Sequence, residues 1–343
     1  MTWAVKVKQL FKHPLFICGF SFLFLLFLAS VIHAIFFNGV VPETPYLYED
    51  GVIAKKAPFS PLEVPPLGTE QTGKQLIFML LQGAKFTIGI AVVVAAFRML
   101  FSSIIGLCFA DFLSKFNKWI TGLVNGFYYI PIALICFVLL NDILVIHGYA
   151  DESPYTFFQR SVFEFAVLTV VALPTTSLLI GNQIRQVYNQ EFITAARLLG
   201  GRRWHVLKRH VLPHMWPRLI IQFVQEIVQV LVLLIHLGFF RLLFGGTLKI
   251  ESGSDTIPDI FISLSSEWSG LIGNAFRSLE NYPWLFLSPI IAFMLTILAF
   301  NLIVKGMENV FFGNYPKRKH KSSKQTKDKS LQENISFEFI HEK

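Results

Sequence analysis

The side chains able to do chemistry fall into two groups. One lies between Glu191 and Pro213: Arg197, Arg202, Arg203, Lys208 and Arg209, two histidines (His205, His210) with His214 just beyond, and no acid after Glu191. The other is thinly spread through apolar sequence. Arg98 stands among Ala, Val, Met and Phe, while Gln222, Gln225, Glu226, Gln229 and His236 share one apolar run. Neither group has the spacing of a reaction centre. The chain lacks a Gly-x-x-x-x-Gly-Lys-[Ser/Thr] phosphate loop, so ATP must be bound elsewhere. His-Glu-x-x-His and Gly-x-Ser-x-Gly are also absent, and the final His341-Glu342 lies in a polar tail. What remains is charge pairing, hydrogen bonding and contact with a partner.

The first group needs a particular local structure. Asn189 is placed as an N-cap, and Glu191 falls in the first turn, where a negative charge favours the helix dipole. Ala195, Ala196, Arg197, Leu198 and Leu199 are good helix formers. Gly200-Gly201 permits a sharp redirection. Trp204 to His210 can form a second short helix, which Pro213 stops or follows with a new one. The expectation is a helix-turn-helix in which Ala195 and Ala196 let another backbone approach closely. The plainer alternative is an ordinary basic loop with an Ala-rich helix.

The second group sits on long apolar elements. At 100° per residue, Gln222, Gln225, Glu226, Gln229 and His236 fall within about a 100° arc. Exposure of this face to lipid is costly, so it points into the bundle, a water-filled path or a partner helix. Both a translocation path and interhelical hydrogen bonding fit the pattern. Arg98 needs a carboxylate or a hydrated cavity. Its depth differs from that of Glu226 by roughly 6–8 Å, within reach of two long side chains if the helices are neighbours. Glu164 is the competing carboxylate, nearer a helix end. The rival is an Arg98 that meets acidic cargo in a wet cavity.

These elements are membrane spans. Of 343 residues 53% are hydrophobic and only 15% charged, with a mean hydropathy of +0.54; soluble domains carry roughly 25% charge. Six apolar segments are expected at 14–37, 86–110, 119–140, 161–184, 219–244 and 284–304, the fourth kinked at Pro174. The first is longer than a signal-peptide core and reads as a retained span. Cys18, Cys108 and Cys136 lie inside apolar runs without metal or disulfide spacing. On this topology 20 of the 30 Lys and Arg residues fall in cytoplasmic segments and 6 in external ones. That asymmetry orients the chain and argues against nucleic acid as the partner of its +8 charge. Residues 1–13 are then a cytoplasmic N-terminus and 38–85 an external loop of largely irregular structure. Residues 86–307 form the core domain, with a cytoplasmic loop at 186–217. Residues 308–343 are a basic cytoplasmic tail able to attract anionic lipid.

Glu191, Ala195, Ala196, Gly200, Leu212 and Pro213 together resemble the Glu-x-x-x-Ala-Ala-x-x-x-Gly…Leu-Pro signature of permease subunits in binding-protein-dependent ABC importers. Arg197 and His210 make the chain similar to the oligopeptide/dipeptide branch, and account for His210 without a metal. Pro66-Leu67-Gly68-Thr69-Glu70, Gly83-Ala84-Lys85 and Asn301-Leu302 resemble further elements of that family, with Glu70, Lys74 and Gln75 where the family has Asp, Arg and Asp. The resemblance implies an all-α integral membrane protein with six transmembrane helices and the MetI-like ABC importer permease fold. It implies a loop that couples to an ATPase, a second homologous permease, two ABC ATPase subunits and an extracytoplasmic substrate-binding protein. ATP and Mg²⁺ would sit on the ATPases, with no cofactor on this non-catalytic chain. It implies a multi-pass location in the plasma or inner membrane. Another cargo on the same scaffold, such as a metal chelate or glutathione, is an alternative, and an uncoupled channel or scaffold is a third reading.

Overall fold

The computed structural model describes residues 3–111, 117–127, 129–148, 154–250, 260–263 and 267–313. The Lys-rich tail, most of the expected internal loop at 111–118, and Asp151 and Glu152 lie outside them. A short helix α1 (Trp3–Leu10) leads into α2 (Pro14–Phe36). A ribbon of β1 (Tyr46–Glu49) and β2 (Val52–Lys56) precedes α3 (Leu76–Asp111). Next come α4 (Asn117–Phe127), α5 (Ile132–Leu144), a short β3 (Val145–His147), α6 (Phe157–Val170) and α7 (Leu173–Tyr188). Two small helices, α8 (Glu191–Leu198) and α9 (Arg203–Val206), lead to α10 (Leu212–Phe239). Strands β4 (Thr247–Ile250) and β5 (Ile260–Ser263), helix α11 (Trp268–Ala275) and α12 (Pro283–Phe312) complete the order.

Four stretches are single helices long and apolar enough to cross a membrane: Pro14–Phe36, Leu76–Ala110, Arg203–Phe239 and Pro283–Phe312. Two pairs, Thr121–Phe127 with α5 and α6 with α7, are bent by 72° and 41°; counted as one bent span each, they bring the number to six among the described residues. The break at α6–α7 lies beside Pro174, as the sequence suggests; Pro174 cannot donate to the Val170 carbonyl. The break at α4–α5 was not expected. There Pro131 takes the N-cap position of α5, and a proline disfavours helical backbone at the residue before it.

Helices α3, α10 and α12 form the centre, with α2 packed on α3 and α12, and α7 packed along α3. One apolar core runs through these and α5, α6 and α11; a second, built on Met99, Ile180, Ile184, Val187, Ile193 and Val211, lies at the end bearing α8 and α9. Small residues bring α3 and α7 together: a Cβ on Gly106 would lie 2.9 Å from the Ser177 carbonyl oxygen and 3.1 Å from the Gly181 nitrogen.

The expected irregular loop at 38–85 is more ordered than composition suggests. Helix α3 begins at Leu76, inside it. Asp50 and Gly51 both have positive φ (51° and 79°) and close an antiparallel ribbon, the behaviour of an Asp-Gly hairpin turn. The Pro66–Lys74 element is its base. The Phe59 amide donates to Thr69 Oγ1 at 2.9 Å, and the Thr69 amide donates to the Phe59 carbonyl at 3.0 Å.

Candidate functional site: a protruding loop and a buried polar knot

The loop folds as the expected helix-turn-helix, with its cap shifted by one residue. Gln190, not Asn189, is the N-cap of α8; Asn189 ends α7, its amide bonded to Arg185. Glu191 opens α8 on an exposed face. The turn after α8 explains both glycines. The Gly201 amide donates to the Ala196 carbonyl at 3.1 Å and the Gly200 amide to the Arg197 carbonyl at 3.0 Å, a Schellman closure. Gly200 supplies the left-handed residue, with φ of 86° and open space around it; at Gly201 a Cβ would lie 2.7 Å from the Ala196 carbonyl oxygen. One glycine is needed for conformation and the other for space.

Ile193, Val206, Leu207, Val211 and Met215 anchor this loop in the second apolar core. Arg197 lies over the Tyr188 ring at 5.0 Å, and His210 meets His205 edge to face. Above that base the loop presents apolar side chains: Leu198 is 84% exposed, Leu199 89% and Trp204 72%. Ala195 is exposed and Ala196 half-buried, so the small residues leave the surface beside these side chains low. Spacing marked the loop but not this apolar crest, because exposure depends on the position of α8 over α7.

Pro213 sits in the first turn of α10, as a proline that opens a helix would, but the helical axis is not interrupted there. The helix runs unbroken from Arg203 to Phe239, and Leu207–Val211 widen into a π turn in which the Leu212 amide reaches back to Leu207. The wide turn makes room where Pro213 has no amide to donate and its ring crowds the preceding turn.

The second group of residues divides. On α10, Gln222 and Glu226 are buried, Gln225 is half-buried, and Gln229 and His236 are exposed. The predicted arc is real, but its edge faces the bundle and the rest faces out. Arg98 and Glu226, 2% and 1% exposed, meet: Arg98 Nη1 lies 3.5 Å from Glu226 Oε2. Thr176 Oγ1 donates to Glu226 Oε1 at 3.0 Å and Gln222 Nε2 donates to the same oxygen at 3.2 Å. The shorter contacts of Arg98 are to backbone: Nε and Nη2 donate to the Leu168 carbonyl at 2.9 and 2.6 Å. Leu168 sits just before the break between α6 and α7. The guanidinium therefore binds a carbonyl on one arm of the bend and a carboxylate on α10. Sequence reasoning missed Leu168 and Thr176, although Pro174 announced a disturbed carbonyl ladder.

Glu164 has a different duty. Its Oε2 accepts from the Gly245 amide at 3.1 Å, while Arg160 Nε donates to the Gly245 carbonyl at 2.8 Å. Glu267, the N-cap of α11, accepts from the Phe244 amide at 3.1 Å and the Gly270 amide at 3.1 Å. Three ionisable side chains thus hold the turn after α10, at the end opposite the protruding loop.

Residues 102–311 match the family of binding-protein-dependent transport system inner membrane components. Among similar proteins is the dipeptide transport system permease protein DppC of Alkalihalophilus pseudofirmus, 22% identical over 316 residues that cover 90% of this chain and 88% of the relative. The peptide transport system permease protein SapC of Escherichia coli O6:H1 is 25% identical over 241 residues, covering 70% of this chain and 71% of the relative. The probable D,D-dipeptide transport system permease protein DdpC of Escherichia coli K12 is 23% identical over 243 residues, covering 71% of each. This chain belongs to the family of inner membrane components of binding-protein-dependent transport systems, and is a multi-pass permease of an ABC importer.

Proposed function

We propose that this permease imports dipeptides or oligopeptides by ATP-driven alternating access. The observation that carries the coupling reading is the crest of Leu198, Leu199 and Trp204 on a loop that is locally rigid and anchored in the core. Apolar side chains held this far out fit a groove on a partner, and the family supplies that partner as an ATPase. The peptide cargo is supported by the names of the relatives, which cover most of their own length in the match. In this reading two ATPases hold ATP and Mg²⁺, a second homologous permease completes the path, and an extracytoplasmic binding protein delivers substrate. The chain itself performs no bond chemistry. The exposed Gln229 and His236 face the second permease across the path, since facing lipid would be costly. Both termini and the crest are cytoplasmic, following the distribution of Lys and Arg.

Reconstitution tests this. The complex purified through this chain should contain two kinds of permease and the ATPases, and proteoliposomes bearing it should accumulate labelled di- to pentapeptides only with the binding protein and ATP. Purification without any ATPase, or uptake indifferent to ATP, defeats the reading.

A further inference from the structure

We infer that Arg98, Glu226 and Thr176 form a latch that makes the bend of the fourth span follow the long helix from the loop. The inference rests on the transporter reading above and adds the residues that carry its motion through the membrane. Arg203–Phe239 is one helical span of 37 residues with a π turn at Leu207–Val211, and Trp204 of the crest lies on its first turn, so a displacement there is carried along it. Glu226 lies 23 residues from Arg203, about 35 Å at ~1.5 Å per residue. There its carboxylate holds both sides of the hinge between α6 and α7. Thr176, in the first turns of α7, donates to Oε1 at 3.0 Å. Leu168, near the end of α6, is reached through Arg98, whose guanidinium spans from the Leu168 carbonyl to Glu226 Oε2.

The hinge needs such a holder. Pro174 removes one amide from the helical ladder at the break, and the bend of 41° opens it further. The amide lost is the one that would serve the Val170 carbonyl; two residues earlier the Leu168 carbonyl takes two donors from Arg98, and losing them in apolar surroundings is costly, so this carbonyl favours bends that keep Arg98 in place. The pair Arg98–Glu226 is in turn costly to separate in a dry interior. Neutral packing would hold the helices together equally well. A charged fork fixes one angle of the hinge to one position of α10, and an altered position of α10 then changes the angle. Arg98 and Thr176 are positioning residues: they touch the hinge and α10, not cargo.

The test uses the full complex with its ATPases and binding protein, reading uptake per ATP hydrolysed, ATPase rate and yield. ATP-driven uptake by the unaltered complex is the control; its absence would count against the transporter reading and not against the latch. Thr176→Val is nearly isosteric and removes one hydroxyl. It should leave yield and ATPase rate near those of the parent and lower uptake per ATP by roughly fivefold to tenfold, the low end of a coupling free energy. Thr176→Ser should recover the parental ratio. The exchange Arg98→Glu with Glu226→Arg restores opposite charges but cannot offer a donor from position 98 to the Leu168 carbonyl. It should recover yield relative to either single variant while uptake per ATP stays low. Parental uptake per ATP in Thr176→Val, or full recovery of coupling by the exchange, overturns the latch.

Discussion

At the scale of single residues, the two adjacent glycines of the loop make different demands. Gly-Gly in the sequence announces a turn, but only the structure divides the labour: backbone conformation at 200, space at 201. A Cβ at position 200 meets nothing within 4 Å among the described residues, so a substitution there acts first through φ. Gly200→Asn should keep uptake within roughly threefold of the parent, because Asn visits the left-handed region readily. Gly200→Val should cost ~1–2 kcal/mol of loop strain, enough for about a 5–30-fold shift in population. Gly201→Ala should also uncouple, by driving apart the Ala196 carbonyl and the new Cβ. ATP-driven uptake normalised to inserted protein ranks the three, and equal loss in Gly200→Asn and Gly200→Val would refute the conformational account. Glu267 makes a second prediction. Burial holds its carboxyl above its ordinary value of 4.5 in spite of its hydrogen bonds to Ser269, Phe244 and Gly270. A folded state that binds this proton more tightly than the unfolded chain loses stability as pH rises from that ordinary value through the raised one. Glu267→Gln should flatten that decline in thermal unfolding of the purified complex. Glu267→Ala should lower stability by about 2–3 kcal/mol near pH 4, through a lost cap and an orphaned Phe244 amide.

At the scale of elements, what was legible is what repeats. Long apolar runs marked α2, α3, α10 and α12, and the spacing of Gln222, Glu226 and their neighbours marked one face of α10. The features that escaped are single events in which two tendencies compete. Pro213 looked like a boundary, yet the apolar packing of Val211 and Met215 on either side keeps the helix going, and the backbone yields by one wide turn. The third span looked continuous through Tyr129 to Pro131, and a proline that could merely have kinked it instead starts a new helix. The Asp50-Gly51 hairpin was readable from turn chemistry but was masked by six prolines nearby. Arg98 and Glu226 were legible as a possible pair from depth alone. The Leu168 carbonyl was not, since a freed backbone group leaves no mark on residue type.

At the scale of the molecule, the question is which end faces the ATPases. Helix α3, 36 residues long, spans about 54 Å at ~1.5 Å per residue, well beyond the ~30 Å of bilayer hydrocarbon. It therefore separates the ribbon end from the loop end, where Arg185 Nη2 donates to the Phe109 carbonyl at 2.6 Å and so ties α7 to the far end of α3. The proposed orientation rests on the basic residues: 20 of 30 lie in segments expected on the cytoplasmic side, 7 of them in the loop segment at 182–218, and labelling tests it. Leu62, 94% exposed beside the ribbon, is a better external reporter than Ser60, whose hydroxyl and amide both bond Glu63. In a background with Cys18, Cys108 and Cys136 replaced by Ala, Leu62→Cys should react with a membrane-impermeant maleimide on intact cells. Leu199→Cys and Ser322→Cys should react only once the inner face is opened. Leu199→Cys should further be protected when the ATPases are bound, because the crest is then covered, while Ser322→Cys in the tail should not. Reaction of Leu199→Cys from outside intact cells would invert the topology. Unchanged reactivity of Leu199→Cys in the assembled complex would leave the orientation standing but remove the crest from the ATPase contact.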